Sequence, residues 1–271
     1  DVSDAALGVG KKQARFMGRG SRVALKAARA ALASSALERT DYAVVFGSGT
    51  GDVDAHIEVR RKLDETSDVK RVTPTLIPRL MASTVPANLV NVLKTTGLSF
   101  AATAACAGGA YNLLLAAQLV RSGHAPAALA GGVEFCDPHF FAGFDAIGAF
   151  NARDNDAPQR ASRPYAADRA GFIFSEGAGA VVLERRADAE ARGASILGRI
   201  VGWGMSSDGQ GEMVAPDAQG ALASMRSALH HAGLRPSDID YVNTHGTSTP
   251  LGDVSEVRAL RALFGERRVR Y

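Results

Sequence analysis

Short runs that are apolar at every position constrain this chain most. "YAVVF" at 42–46 runs into the glycine-rich "GSGTG", and "AALAGGVEF" at 127–135 stays non-polar until Glu134. A strand with apolar side chains on both faces has to be covered on both faces. Parallel sheets flanked by helices provide that cover. Helical patterns fill the intervals. "KKQARFMGRGSRVALKAARAALASSAL" reads as one helix, amphipathic over its second half through Val23, Leu25, Ala28 and Leu32. The segment 53–96 is polar and charged, then turns helical after Pro78 and Pro86. "AGGAYNLLLAAQLV" is apolar on nearly every side and reads as a buried helix.

Further on, Asp137 to Ala161 reads as a long irregular stretch containing aromatics. "GFIFSEGAGAVVLERRADAEARG" reads as strand then helix, and "ASILGRIVGWGMSSD" as a strand. "GALASMRSALHHAG" is a helix closed by Gly233, and "DIDYVNTHGTSTPLGDVSEVRALRALFG" is strand, loop, helix. The alternation predicts an α/β fold with mainly parallel strands. The pattern restarts around Ala187–Arg192, which predicts two domains, 1–190 and 191–271.

Composition excludes several classes. Hydrophobic residues make up 46% and charged residues 22%, as in an ordinary soluble globular protein. The net charge is +3, and the arginines are scattered apart from Arg267, Arg268 and Arg270, which argues against a nucleic-acid partner. No apolar run reaches membrane-spanning length and no signal peptide is visible, so the expected compartment is the cytoplasm, with no membrane partner. Two cysteines, Cys106 and Cys136, make neither a disulfide framework nor a zinc site.

Cys106 stands at the expected N-terminal end of the buried helix, among Ala104, Ala105, Ala107, Gly108 and Gly109. Unpaired backbone N–H groups and the helix dipole there stabilise a thiolate, and the small neighbours leave room for a reactant. That setting suits a nucleophile carrying an acyl group. The alternative is a small buried hydrophobe, the commonest role of a free cysteine. Cys136 reads as packing. In "YVNTHGTSTPLGD", His245 follows a short strand, at the carboxyl edge where α/β sheets bind ligands. Asp253 and Glu256 follow at the start of the next helix, where carboxylates are favourable. The 139 positions separating Cys106 and His245 mean that only folding could bring them together.

Taken together, "AACAGG", "NTHGTSTPLGD", "NDAPQRASRPYAADRAGFIFSEGAGAVVLE" and "RIVGWGMSSDGQGEMVAPDAQG" resemble the β-ketoacyl-acyl carrier protein synthases, across essentially the whole chain. With "FDAIGAF", the last two stretches look most like the elongating type I and II enzymes. The resemblance implies a thiolase-like fold, two similar βα halves in five α-β-α-β-α layers, and a homodimer. It implies that Cys106 takes an acyl chain from acyl carrier protein and that His245 assists decarboxylation of the malonyl carrier. Thr247 and Thr249 would hydrogen-bond the phosphopantetheine arm. Val85 would line the acyl pocket, and Phe144 would belong to a mobile loop beside the entrance. Asp253 and Glu256 would be structural supports of the site. No cofactor or metal enters the chemistry. Carrier proteins are acidic, so Arg60, Arg61 and Arg71 are candidates for docking.

Two departures accompany the resemblance. Ala104 stands where the family usually has Thr or Ser, and family chains start before Asp1 and continue beyond Tyr271. The fold is therefore expected to be incomplete at both ends, without the second catalytic histidine. Two other readings share the motifs: a polyketide ketosynthase, and a non-catalytic subunit pairing as a heterodimer with a catalytic synthase.

Overall fold

The computed structural model describes residues 1–209 and 216–271. It divides into two compact units: 1–136 with 175–198, and 137–174 with 199–271.

The first unit opens with a short helical turn, α1 (Lys11–Ala14), and the long helix α2 (Arg19–Ser35). The single helix expected over this stretch is broken at Gly18, whose extended backbone forms the N-cap of α2. Its lack of a side chain accommodates the Asp52 carboxylate, since a Cβ there would lie 2.0 Å from an Asp52 oxygen. Strand β1 (Ala43–Gly47) follows, buried at all five positions. Helices α3 (Val53–Thr66), α4 (Leu76–Leu80) and α5 (Thr84–Leu93) come next. Helical structure thus begins well before Pro78. Asp52 initiates α3 by accepting the Ala55 N–H. Pro78 and Pro86 sit in first turns, where a missing N–H costs no intrahelical bond.

Strand β2 (Ser99–Phe100), helix α6 (Gly108–Arg121) and strand β3 (Ala127–Glu134) complete the run to residue 136. After the excursion of 137–174, which contains helix α7 (Pro138–Ala146), the chain re-enters this unit as strand β4 (Gly177–Glu184) and helix α8 (Arg186–Ala191). The sheet order is β2-β1-β3-β4. The first three strands are parallel, with Val45 opposite Ala130, and β4 is antiparallel to β3. The alternation of side chains explains why both faces are apolar. Val44, Phe46, Leu129 and Val133 pack with Leu25 and Ala28 of α2 and with Val85 and Leu89 of α5. Ala43, Val45, Ala128 and Ala130 pack with Ala116 and Val120 of α6. Full burial of a side chain such as Leu25 or Leu129 contributes about 2 kcal/mol.

In the second unit, α7 lies within the stretch expected to be irregular. Asp137 caps it through the His139 N–H and Pro138 occupies its first position. Helix α9 (Ala218–Ala232) is closed by Gly233 at φ +68°, as its sequence predicts, and packs on helix α10 (Pro250–Phe264). The strand expected over 194–208 does not form. No ladder partner stands beside it among the described residues, and Gly204 instead lies against α9, where a Cβ would meet the Ser224 carbonyl oxygen at 2.0 Å. The strand expected near Tyr241 is reduced to one parallel bridge, Tyr241 to Arg270. Part of the "RIVGWGMSSDGQGEMVAPDAQG" match, residues 210–215, lies outside the described residues. No helix among the described residues is long and apolar enough to cross a membrane.

Candidate active site

Cys106 is exposed in the turn between β2 and α6, two residues ahead of the first helical residue. Three features fix that turn. Ala105 holds a left-handed backbone at φ +45°, unusual for a residue with a Cβ. Asn112, with no solvent exposure, accepts the Ala102 N–H at 2.9 Å and donates to the Gly131 carbonyl at 3.1 Å. Its amide thereby ties the approach to Cys106 to β3. The first turn of α6 rests directly on β3, because Gly132 and Gly109 meet backbone to backbone; a Cβ on Gly132 would sit 3.0 Å from the Gly109 Cα.

The loop after β1 lies beside this turn. A Cβ on Gly49 would be 3.4 Å from the Ala105 Cα. Glu134, at the end of β3, accepts from the Gly49 N–H and, at 3.1 Å, from the Thr50 hydroxyl. The two loops therefore stand together at the carboxyl ends of β1 and β3, with Cys106 two residues ahead of the first residue of α6. Cys136 differs. It is half-buried, and burial, followed by the Glu176 carboxylate, pushes its thiol up. Neither cysteine is in a disulfide. Val85 is buried in α5 and lines a narrow cavity with Ser48, Thr84 and Phe135.

His245, Thr247, Thr249, Asp253, Glu256 and Phe144 belong to the second unit. The exposed His245 begins a loop held by two carboxylates in the first two turns of α10. Glu256 accepts the His245 N–H at 2.7 Å, the Gly246 N–H at 2.9 Å and the Tyr165 hydroxyl at 2.7 Å. Asp253, 2% exposed, accepts the Tyr165 N–H at 2.7 Å and the Ser248 N–H at 3.0 Å. Tyr165 and Ser248 are both left-handed, at φ +66° and +68°, so one carboxylate pins two strained residues. The Arg169 guanidinium lies 3.2 Å from Asp253 and donates to the Thr249 carbonyl at 3.1 Å. The Thr247 and Thr249 hydroxyls are 2.9 Å apart. Burial, with the Glu256 carboxylate adding and a bond with Thr244 opposing, pushes the Tyr165 phenol above its ordinary range.

Phe144 sits on α7 and packs edge-on against Phe172 and Phe174, at ring separations of 4.8 and 5.3 Å. Four groups in these surroundings were not singled out from sequence: Asn112, Glu134, Tyr165 and Arg169. The last two lie in the quoted "SRPYAADRAGF". Asn112 carried a signal as a polar residue inside an apolar helix. No cluster of three or more His, Cys, Asp or Glu that could hold a metal occurs among the described residues.

Comparison with known proteins covers nearly the whole chain. The family model "Beta-ketoacyl synthase, N-terminal domain" matches residues 1–189 and "Beta-ketoacyl synthase, C-terminal domain" matches 197–270. The chain is 36% identical to 3-oxoacyl-[acyl-carrier-protein] synthase 1 of Escherichia coli over 265 residues, covering 96% of this chain and 64% of that one. The crystal structure of a β-ketoacyl synthase from Burkholderia phymatum superposes with a TM-score of 0.88 at 36% identity, over 95% of this chain and 64% of the other. The ishigamide ketosynthase/chain length factor superposes with a TM-score of 0.81 at 28% identity, over 94% and 63%. The chain thus spans about 64% of the length of the curated relative.

Proposed function

The chain belongs to the β-ketoacyl synthase family, and from that premise we propose that it serves a 3-oxoacyl-acyl carrier protein synthase, an acyltransferase of fatty acid synthesis. The observation carrying this reading is Cys106, exposed at the N-terminal end of the buried helix α6 in a turn of fixed geometry. The Cys106 thiolate attacks the thioester carbonyl of an acyl carrier protein. The carrier's thiol leaves with a proton and the acyl chain stays on sulfur. The Cys106 N–H donates to the oxygen that becomes negative in this step.

A malonyl carrier then binds. His245 donates a hydrogen bond to its thioester oxygen, carbon dioxide leaves, and the electron pair of the broken C–C bond forms an enolate. The enolate carbon attacks the acyl-cysteine, the C–S bond breaks, and a chain longer by two carbons departs on the carrier. Thr247 and Thr249 hold the phosphopantetheine arm, Val85 and Phe144 border the acyl chain, and Asp253 and Glu256 support the His245 loop. We read 1–190 and 191–271 as the two thiolase-like halves, working as a homodimer in the cytoplasm. Arg60, Arg61 and Arg71 are exposed but paired with Asp64, Glu65 and Asp68. Such exposed pairs are worth less than about 1 kcal/mol, so an acidic carrier can compete for them.

The test is intact mass after incubation with an acyl-carrier thioester. The expected result is a gain of one acyl group, absent in Cys106→Ala. Likeness to the ketosynthase/chain length factor supports a second reading, a ketosynthase pairing with a non-identical subunit. Elongation that begins only when such a subunit is added would favour it.

A further inference from the structure

We infer that Tyr165 is a positioning residue for His245, its hydroxyl completing the set of three donors that orients Glu256 under the His245–Gly246 backbone. This rests on the reading of His245 as a catalytic group. Glu256 has two oxygens, and each has a task. Oε1 receives the His245 N–H, while Oε2 receives both the Gly246 N–H and the Tyr165 hydroxyl. A glutamate attached to a helix by three rotatable bonds would otherwise be free to turn away from two backbone donors. The phenol opposes that motion because its own position is over-determined. Its backbone N–H is held by Asp253 and its ring packs edge-on to Tyr271 at 5.2 Å.

The left-handed backbone at Tyr165 supports the assignment. Held conformations of this kind persist only where surrounding contacts enforce them. Here the enforcing group, Asp253, also fixes Ser248 three residues beyond His245. The Pro164–Tyr165 corner and the 245–248 loop are therefore one hydrogen-bonded body, and the phenol links that corner to Glu256 through its hydroxyl. A phenylalanine would keep the ring and remove the link.

The experiment compares the full chain with Tyr165→Phe by residue-resolved amide exchange and by decarboxylation of a malonyl thioester. We expect exchange at His245 and Gly246 to accelerate about tenfold, the effect of losing one hydrogen bond to a charged acceptor. We expect kcat for decarboxylation to fall at least severalfold with KM little changed. Unchanged exchange at those amides, or acceleration spread evenly through the unit, would overturn the inference. Glu256→Gln supplies a second arm. The same two amides should loosen, and Tyr165→Phe added to it should change nothing further; additive effects would count against the inference. If the unaltered chain neither acylates nor decarboxylates, the proposed function fails, while the exchange pattern still decides the role of Tyr165.

Discussion

Of the two carboxylates that hold the His245 loop, Asp253 fixes its strained backbone. Asp253 holds Tyr165 and Ser248, each in a conformation costing about 1–3 kcal/mol, and pairs with Arg169. Asp253→Asn keeps the shape but replaces one acceptor oxygen with an NH2 that must face a backbone N–H. We expect a loss of about 2–4 kcal/mol, measured as a lower urea midpoint with unchanged slope. At this scale the sequence marks Cys106 and His245 as candidates because each stands in a short, distinctive motif. Tyr165 and Asn112 were not singled out, because their work is defined by partners 91 and 19 positions away, Glu256 and Gly131.

Among elements, β1 and β3 were legible because side chains on both of their faces are apolar, which only a covered sheet satisfies. Helix α7 was missed although Asp137–Pro138 is a start signal; the aromatics that follow resemble a loop more than a stripe. The strand expected over 194–208 failed for another reason. β-propensity describes a segment, whereas a strand needs a partner. Under the proposed function the element that matters most for chemistry is α6, whose height above the sheet is set by the Gly109–Gly132 contact. Gly132→Ala must push the helix away by a few tenths of an ångström, since the obstacle is backbone. We expect slower acylation of Cys106 than in the unaltered protein, with a stability loss of about 1–3 kcal/mol. Equal acylation rates by intact mass would show that the height of α6 does not tune the thiol.

For the whole molecule, charge sets the pH range over which both units persist. Hydrogen bonds from Arg39, Asn151, Arg19 and Arg235, respectively, hold Asp41, Asp154, Glu176 and Asp238 below the usual carboxylate range, with Arg163 also bonding Asp154 and Asp238 at about 2. A depressed carboxyl stabilises the fold above its unfolded value, about 4, and that contribution disappears as pH falls through the folded value. On the alkaline side, burial raises Tyr42, and burial followed by the Glu256 carboxylate raises Tyr165. Their contribution is complete below about pH 10, the unfolded value, and is lost as pH climbs beyond it. Urea midpoints should therefore be flat between about pH 5 and 9 and decline on both sides. The acid limb arises largely from exposed or partly exposed ion pairs and should become shallower when salt is raised. The alkaline limb arises mainly from burial and should respond less to salt, while Tyr165→Phe should shift it to higher pH. An acid limb insensitive to salt would show that buried groups, rather than these surface pairs, control acid unfolding.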